Sequence, residues 1–427
     1  LLSLRLRSPR NARRRRAIDE RPADRERALQ LRFYRCELDL ERPLRNARRR
    51  RAGEERPAGG GYTVAFACLN AERALNSLSQ AMIAILQPKL AEWARRDDVA
   101  AVVLHGAGEK AFCAGGDVIG IHAALRAADG APSADAEAFF AAEYRLDHSV
   151  HRFPKPVLCW GHGIVMGGGL GLMAGASHRV VTEASRIAMP EVTIGLFPDV
   201  GASWFLGRMP GGIGRFLGMT TTPMRAGDAL WLNMADFRLD GDDREAVFEA
   251  LTTLRWSGGR AADDARLSQL LRRFEDGDTA AAERRESPLF ERQATIAGLD
   301  DAADAAAFVQ GLQAAANQDA FFEHGVRAIA GASPTSLAVV HRQLAGDPRA
   351  AIETVLQRDY AMAVACSRRP DLAEGIRALL VDKDKQPVWS PARLADVRAA
   401  DVDAHFRLPD DYGGPHPLAD LSADGPG

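Results

Sequence analysis

The chain has 427 residues, 46% hydrophobic and 26% charged, with a formal net charge of -2. That length exceeds one average domain, and the balance is that of a soluble globular enzyme. No apolar run approaches the roughly 18 residues that cross a bilayer, which excludes an integral membrane protein. Five scattered cysteines (Cys36, Cys68, Cys113, Cys159, Cys366) form no CxxC and no Cys/His pair at ligand spacing. They read as thiols of a reducing compartment, with no metal site and no structural disulfide.

The small net charge conceals two unlike parts. Residues 1–60 hold 19 arginines, no lysine and 9 acidic residues, a net of +10 that leaves the rest of the chain at -12. The sequence RNARRRRAIDERPA from Arg10 returns as RNARRRRAGEERPA from Arg45. Neither copy has enough apolar residues to bury a core, so 1–60 reads as a disordered tail. Binding of nucleic acid or an anionic surface through Arg13–Arg16 and Arg48–Arg51 is the rival. Leu31–Leu40 carries a weak strand signal.

Order is expected from Gly59-Gly60-Gly61 onward. Tyr62–Leu69 has strand character, and Ser77–Arg95 places Leu78, Met82, Ile85, Leu86, Leu90 and Trp93 at helical spacing. Val99–Leu104, Val157–Trp160, Arg179–Thr182 and Ile187–Met189 read as further strands. Strands alternating with helices imply an α/β arrangement with parallel strands. The core is expected over 61–243. From Arg244 to 408 helical periodicity takes over, and 409–427, rich in Gly, Pro and Asp, reads as a flexible tail.

Three segments carry chemistry. In Lys110-Ala111-Phe112-Cys113-Ala114-Gly115-Gly116-Asp117, paired glycines let backbone N–H groups turn into a cavity. In Met166-Gly167-Gly168-Gly169-Leu170-Gly171, glycines open a small-residue helix whose free N–H groups suit a developing anion. No GK[ST] or GxGxxG pattern accompanies them, which removes a nucleotide phosphate loop. In Met189-Pro190-Glu191 and Phe197-Pro198-Asp199, a carboxylate follows a proline in an apolar stretch, where desolvation raises pKa toward acid–base values.

Taken together and in this order, these segments resemble the crotonase (enoyl-CoA hydratase/isomerase) superfamily. The resemblance is closer to its 3-hydroxyisobutyryl-CoA hydrolase branch, and it runs from Leu69-Asn70 to His405-Phe406. It includes Ser333-Pro334-Thr335-Ser336-Leu337, Glu374-Gly375-Ile376-Arg377 and Asp382-Lys383-Asp384 with Pro387, Trp389 and Pro391. The implied fold is a ββα spiral core followed by a mostly helical C-terminal region. The implied roles place the amides of Gly116 and Gly168 in an oxyanion hole. Glu191 and Asp199 become the catalytic acids, with Glu143, Gly168, Glu191 and Asp199 around the substrate. Coenzyme A would lie along Ala74, Leu75 and Ala114, as part of the substrate and not as a separate cofactor. Glu143 and Asp199 would offer acceptors to a substrate hydroxyl, and His162 would be structural.

Hydratases of this superfamily carry a second glutamate two residues beyond the three glycines. That place is Gly171 here, which transfers no proton. The implied activity is hydrolysis of a short branched 3-hydroxyacyl-CoA. Its alternatives are an enoyl-CoA hydratase/isomerase or a non-catalytic interaction subunit. A homo-oligomer and a cytoplasmic location (the mitochondrial matrix in a eukaryote) are the further expectations. The strand that opens the family's fold is expected to be missing, displaced by the arginine-rich segment.

Overall fold

A computed structural model describes residues 54–422. The weak strand at Leu31–Leu40 and both arginine runs lie outside the described residues.

The missing opening strand is present. β1 (Glu54–Pro57) pairs antiparallel with β2 (Thr63–Leu69), so the last residues of the second arginine-rich copy belong to the fold. Apolar alternation does not hold this strand. Arg56 lies over the Phe66 ring at 4.4 Å, and Glu55 accepts from the Trp93 indole at 3.1 Å and from Arg96 at 2.7 Å. Charges and a proline suit a sheet edge, where they discourage pairing with another chain.

The remaining strands are β3 (Val99–Gly106), β4 (Ala111–Cys113), β5 (Val157–Gly161), β6 (Ile164–Met166), β7 (His178–Val181), β8 (Arg186–Ala188) and β9 (Phe237–Arg238). One sheet runs β1-β2-β3-β5-β7-β9, and a smaller parallel one runs β4-β6-β8. The chain thus lays one strand in each sheet per turn, as a ββα spiral. Helices α1 (Gln80–Arg95), α2 (Val118–Ala127), α3 (Ala134–His151) and α4 (Gly168–Gly175) follow within those turns. Ser79 caps α1 by accepting from Met82 N at 3.2 Å, and Ser133 caps α3 by accepting from Ala136 N at 3.3 Å. In α1 the buried face is Ile83, Leu86, Leu90 and Trp93, while Ile85 is exposed.

The large sheet is buried on both faces, which is why its strands read as continuous apolar runs. Ala65, Ala67, Val102, Leu104 and Cys159 face the core that holds α3 and α4. Val64, Phe66, Val103, Leu158 and Trp160 face the other way, onto Val247, Phe248, Leu251, Leu267 and Leu271. Those covering residues come from helices Arg244–Thr253 and Arg260–Leu271. The helical region expected from Arg244 is therefore half a lid on the back of the sheet. Its later helices α5 (Pro334–Gln343), α6 (Ile352–Ser367) and α7 (Pro370–Ile376) lie on the site side.

The expected flexible tail is also revised, for residues 409–422. Leu418 is fully buried, and its carbonyl accepts from Gln357 at 3.0 Å. Arg145 binds the Pro417 carbonyl and Asp420, each at 2.7 Å, and the Tyr360 and Tyr412 hydroxyls meet at 2.9 Å. Gly- and Pro-rich composition marks irregular backbone, and irregular backbone packs when a few anchors reach it.

Candidate active site

Each glycine of Gly167-Gly168-Gly169 has its own reason. Gly167 takes φ +49° and ψ -126° ahead of α4, a backbone state that side-chain-bearing residues rarely adopt. A β-carbon on Gly168 would collide with Glu143 Oε1, and one on Gly169 with the Cys113 carbonyl. On the facing loop, a β-carbon at Gly116 would lie 2.9 Å from the same Glu143 oxygen. The two loops are adjacent, with Gly116 N lying 3.3 Å from the β-carbon position of Gly168. Gly116 N–H donates to no acceptor among the described residues. Gly168 N–H opens a helix and so has no partner within it. Two open donors on neighbouring loops suit an oxyanion.

The acids converge on these glycines. Glu191 begins a short 3₁₀ turn (Glu191–Ile194), and its Oε1 lies 3.1 Å from the β-carbon position of Gly167. Asp199 accepts from the Tyr144 hydroxyl at 2.7 Å. Glu143, Tyr144, Glu191 and Asp199 are all buried. Glu143 Oε1 and Glu191 Oε2 have no hydrogen-bond partner among the described residues. Burial pushes Glu191 and Glu143 well above the usual carboxylate range, and the charge of Asp199 adds to both. Burial also lifts Asp199 to about 6, against the opposing Tyr144 hydrogen bond. Tyr144 engages only Oδ2 of Asp199, so Oδ1 is the oxygen at which the expected contact with a substrate hydroxyl would be made.

Distant helices hold the turns that carry the two acids. Val200 has φ +51° and Gly201 φ +82°. A β-branched residue there stores on the order of 1–3 kcal/mol of strain unless its surroundings compel it. The compulsion comes from Gln343 of α5, which donates to the Pro198 carbonyl at 2.8 Å, and from Asp359 of α6. Asp359 accepts from Gly201 N at 2.9 Å. The Glu191 turn is held by α7, because side chains at Gly195 or Gly375 would collide with the facing backbone. Ser333 adds a bond from its N–H to the Val192 carbonyl at 3.0 Å, and its hydroxyl donates to Asp371 at 2.6 Å.

Tyr144, Asp147, Gln343 and Asp359 were not singled out from sequence. Asp147 had a signal, since Glu143 and Asp147 share one face of a helix at i, i+4, and Tyr144 adjoins Glu143 without sharing that spacing. Gln343 and Asp359 had none. The proposed coenzyme A positions are brought together, with Ala114 N donating to the Leu75 carbonyl at 3.0 Å beside the exposed Ala74. His162 is buried, with Nε2 3.0 Å from the Gly108 carbonyl, as suits a structural residue. The segment from Asp382 to Trp389 is organised by Arg377, which pairs with Glu374 at 2.8 Å, Asp382 at 2.6 Å and Asp384 at 2.7 Å.

A family model described as enoyl-CoA hydratase/isomerase matches residues 64–406. Among similar proteins, the mitochondrial 3-hydroxyisobutyryl-CoA hydrolase of Danio rerio is 34% identical, over 79% of this chain and 85% of its own. The enzyme of that name from Homo sapiens is 33% identical over the same shares. Among solved structures, a carnitinyl-CoA dehydratase from Mycobacterium thermoresistibile is 34% identical with a TM-score of 0.72. It covers 85% of this chain and 98% of its own. With the spiral of paired strands, the glycine loops and the buried acids, these matches establish that the chain belongs to the enoyl-CoA hydratase/isomerase family.

Proposed function

We propose that this protein hydrolyses 3-hydroxyisobutyryl-CoA to 3-hydroxyisobutyrate and coenzyme A, a step of valine degradation. The observation that carries the reading is the closed space at Gly171. A β-carbon there would lie 2.7 Å from Val200 Cβ and 2.8 Å from Asp147 Oδ1. A glutamate at 171 would have to displace the side chains of Val200 and Asp147, which disfavours the two-glutamate arrangement of a hydratase on this backbone. The acid pair that remains is Glu191 and Asp199. The hydrolase relatives support the same choice of reaction.

In the mechanism, the N–H groups of Gly116 and Gly168 receive the oxyanion formed when the thioester carbonyl is attacked. Removing one such donor costs about 3–4 kcal/mol of transition-state stabilisation. Glu191, desolvated and with an open oxygen, is a strong base once ionised. It takes a proton from water, or it attacks the carbonyl itself to give a mixed anhydride that water then opens. Single turnover in oxygen-labelled water separates the two routes, because only the anhydride route can leave label in Glu191. Asp199, oriented by Tyr144, positions water and passes the proton toward the departing thiolate. Coenzyme A enters as part of the substrate, along Ala74, Leu75 and Ala114, and no other cofactor is needed. The reading suits a reducing compartment, the cytoplasm or a mitochondrial matrix.

The test is thiol release across a panel of acyl-CoA thioesters, run beside hydration of crotonyl-CoA. Release from 3-hydroxyisobutyryl-CoA with at most trace hydration is expected. Efficient hydration without thiol release would overturn the assignment.

A further inference from the structure

Asp147 is the buried acid that the mechanism leaves unused. It is 4% exposed, and neither carboxyl oxygen has a hydrogen-bond partner among the described residues. A buried acid with both oxygens open is costly to the fold, which points to a partner that arrives from outside. Burial, and then the charges of Glu143, Asp199 and Asp359, hold its pKa well above the usual range.

Its placement indicates which partner. Glu143 and Asp147 stand one turn apart on α3, a rise of about 6 Å, and face α4. Glu143 Oε1 covers Gly168, and Asp147 Oδ1 lies 2.8 Å from the β-carbon position of Gly171. Gly168 and Gly171 are about 4.5 Å apart along α4. With the thioester carbonyl at Gly116 and Gly168, as the hydrolase reading has it, Glu143 would border it and Asp147 would stand one step further along α4. In a 3-hydroxyacyl thioester the hydroxyl sits two carbon–carbon bonds and one carbon–oxygen bond beyond the carbonyl carbon, a reach on the order of 4 Å. Of the neighbouring acids, Glu191 is committed to the attack, Asp199 gives one of its oxygens to Tyr144, and the open oxygen of Glu143 stands at the carbonyl end beside Gly168.

We propose that Asp147 accepts the hydrogen bond of the substrate's 3-hydroxyl and so selects hydroxylated acyl chains. The inference rests on the hydrolase reading above and names the residue that sets its specificity. A plain acyl chain leaves this acid unpaired, whereas the hydroxylated chain supplies its donor. The discrimination expected from one such buried pairing is about 10- to 100-fold in kcat/KM.

The experiment compares 3-hydroxyisobutyryl-CoA with isobutyryl-CoA in the wild type, D147N and D147L. The wild type should prefer the hydroxylated thioester by that margin. D147L should lose the preference through slower turnover of the hydroxylated thioester alone, with isobutyryl-CoA changed by less than about 3-fold, since no acceptor remains for the hydroxyl. D147N keeps an acceptor oxygen and should retain most of the preference. Should D147L not fold, Asp147→Ala carries the same readout. Equal losses on both thioesters would mark a structural residue and overturn the proposal, as would a preference that survives D147L. A wild-type enzyme that hydrolyses neither thioester would overturn the hydrolase reading itself, before any variant is made.

Discussion

Between Ala111 and Gly171 the site is made by short-range means. Strands β4 and β6 lie side by side, and glycines follow each of them, so two N–H groups face one space. Between Glu191 and Gly201 the turns that carry the acids are held by residues far away in sequence. Gln343 reaches Pro198 across 145 residues, and Asp359 reaches Gly201 across 158. The first half is a property of its own backbone, where a substitution fails by collision. The second half depends on the helical C-terminal region, where a substitution fails by letting a strained turn relax. The added helices therefore hold the turns of the candidate site and are not an appendage to the spiral.

The sharpest way to break the first half is Gly171→Glu. Val200 and Asp147 occupy the space a side chain would need. Hydrolysis should fall by more than ~10²-fold, since even ~1 Å of misplacement near reacting atoms costs that much. Restoring the hydratase glutamate should yield no more than trace hydration of crotonyl-CoA. Substantial hydration by this variant would show that the space opens more easily than its neighbours allow.

The second half is tested by Asp359→Leu, which removes the acceptor of Gly201 N. Hydrolysis should fall about 10- to 100-fold in kcat with KM little changed, because the turn and not the substrate is released. Asp359→Asn keeps an acceptor and should stay within a few-fold of wild type. A pH dependence accompanies this pair. Burial lifts Asp359 to about 7, so the fold favours its protonated form. The stability this contributes is complete below the unfolded value of about 3.9 and is lost as pH rises through about 7. Denaturant titrations of Asp359→Asn should lose that part of the decline between those limits. An unchanged slope would mean that the acid does not titrate there.

How far the sequence could be read follows the same division. The glycine segments and the two candidate acids, Glu191 and Asp199, were legible because each sits in a short pattern with its own chemistry. The strands were legible because a sheet buried on both faces writes continuous apolar runs. β1 was not, because its cohesion comes from Arg56 on Phe66 and Glu55 on Trp93 and Arg96. Charge-rich strands of this kind look like tail. Residues 409–422 were misread for a related reason, since one buried Leu418 and a few polar anchors leave no periodicity. Asp359 and Gln343 were invisible, as a buried acid and amide in a helix acquire meaning only from a turn elsewhere in the chain.

The smallest effect sharpens the boundary at the amino terminus. Deleting residues 1–53 should leave kcat/KM within a few-fold, because every residue assigned to the chemistry lies beyond them. Deleting 1–58 also removes β1 and its bonds to α1. That deletion should lower Tm by several degrees, on the order of 1–3 kcal/mol for a lost edge strand, with turnover of the folded fraction retained. Equal Tm values for the two deletions would mean that β1 contributes nothing.

The most direct measurement is thiol release from 3-hydroxyisobutyryl-CoA by the wild type and by Glu191→Gln. The glutamine keeps the size of the side chain but cannot act as base or nucleophile. Turnover should fall by at least ~10²-fold, while the affinity for coenzyme A, expected to bind at Ala74, Leu75 and Ala114, stays nearly unchanged. Near-normal turnover in a folded Glu191→Gln enzyme would contradict the account.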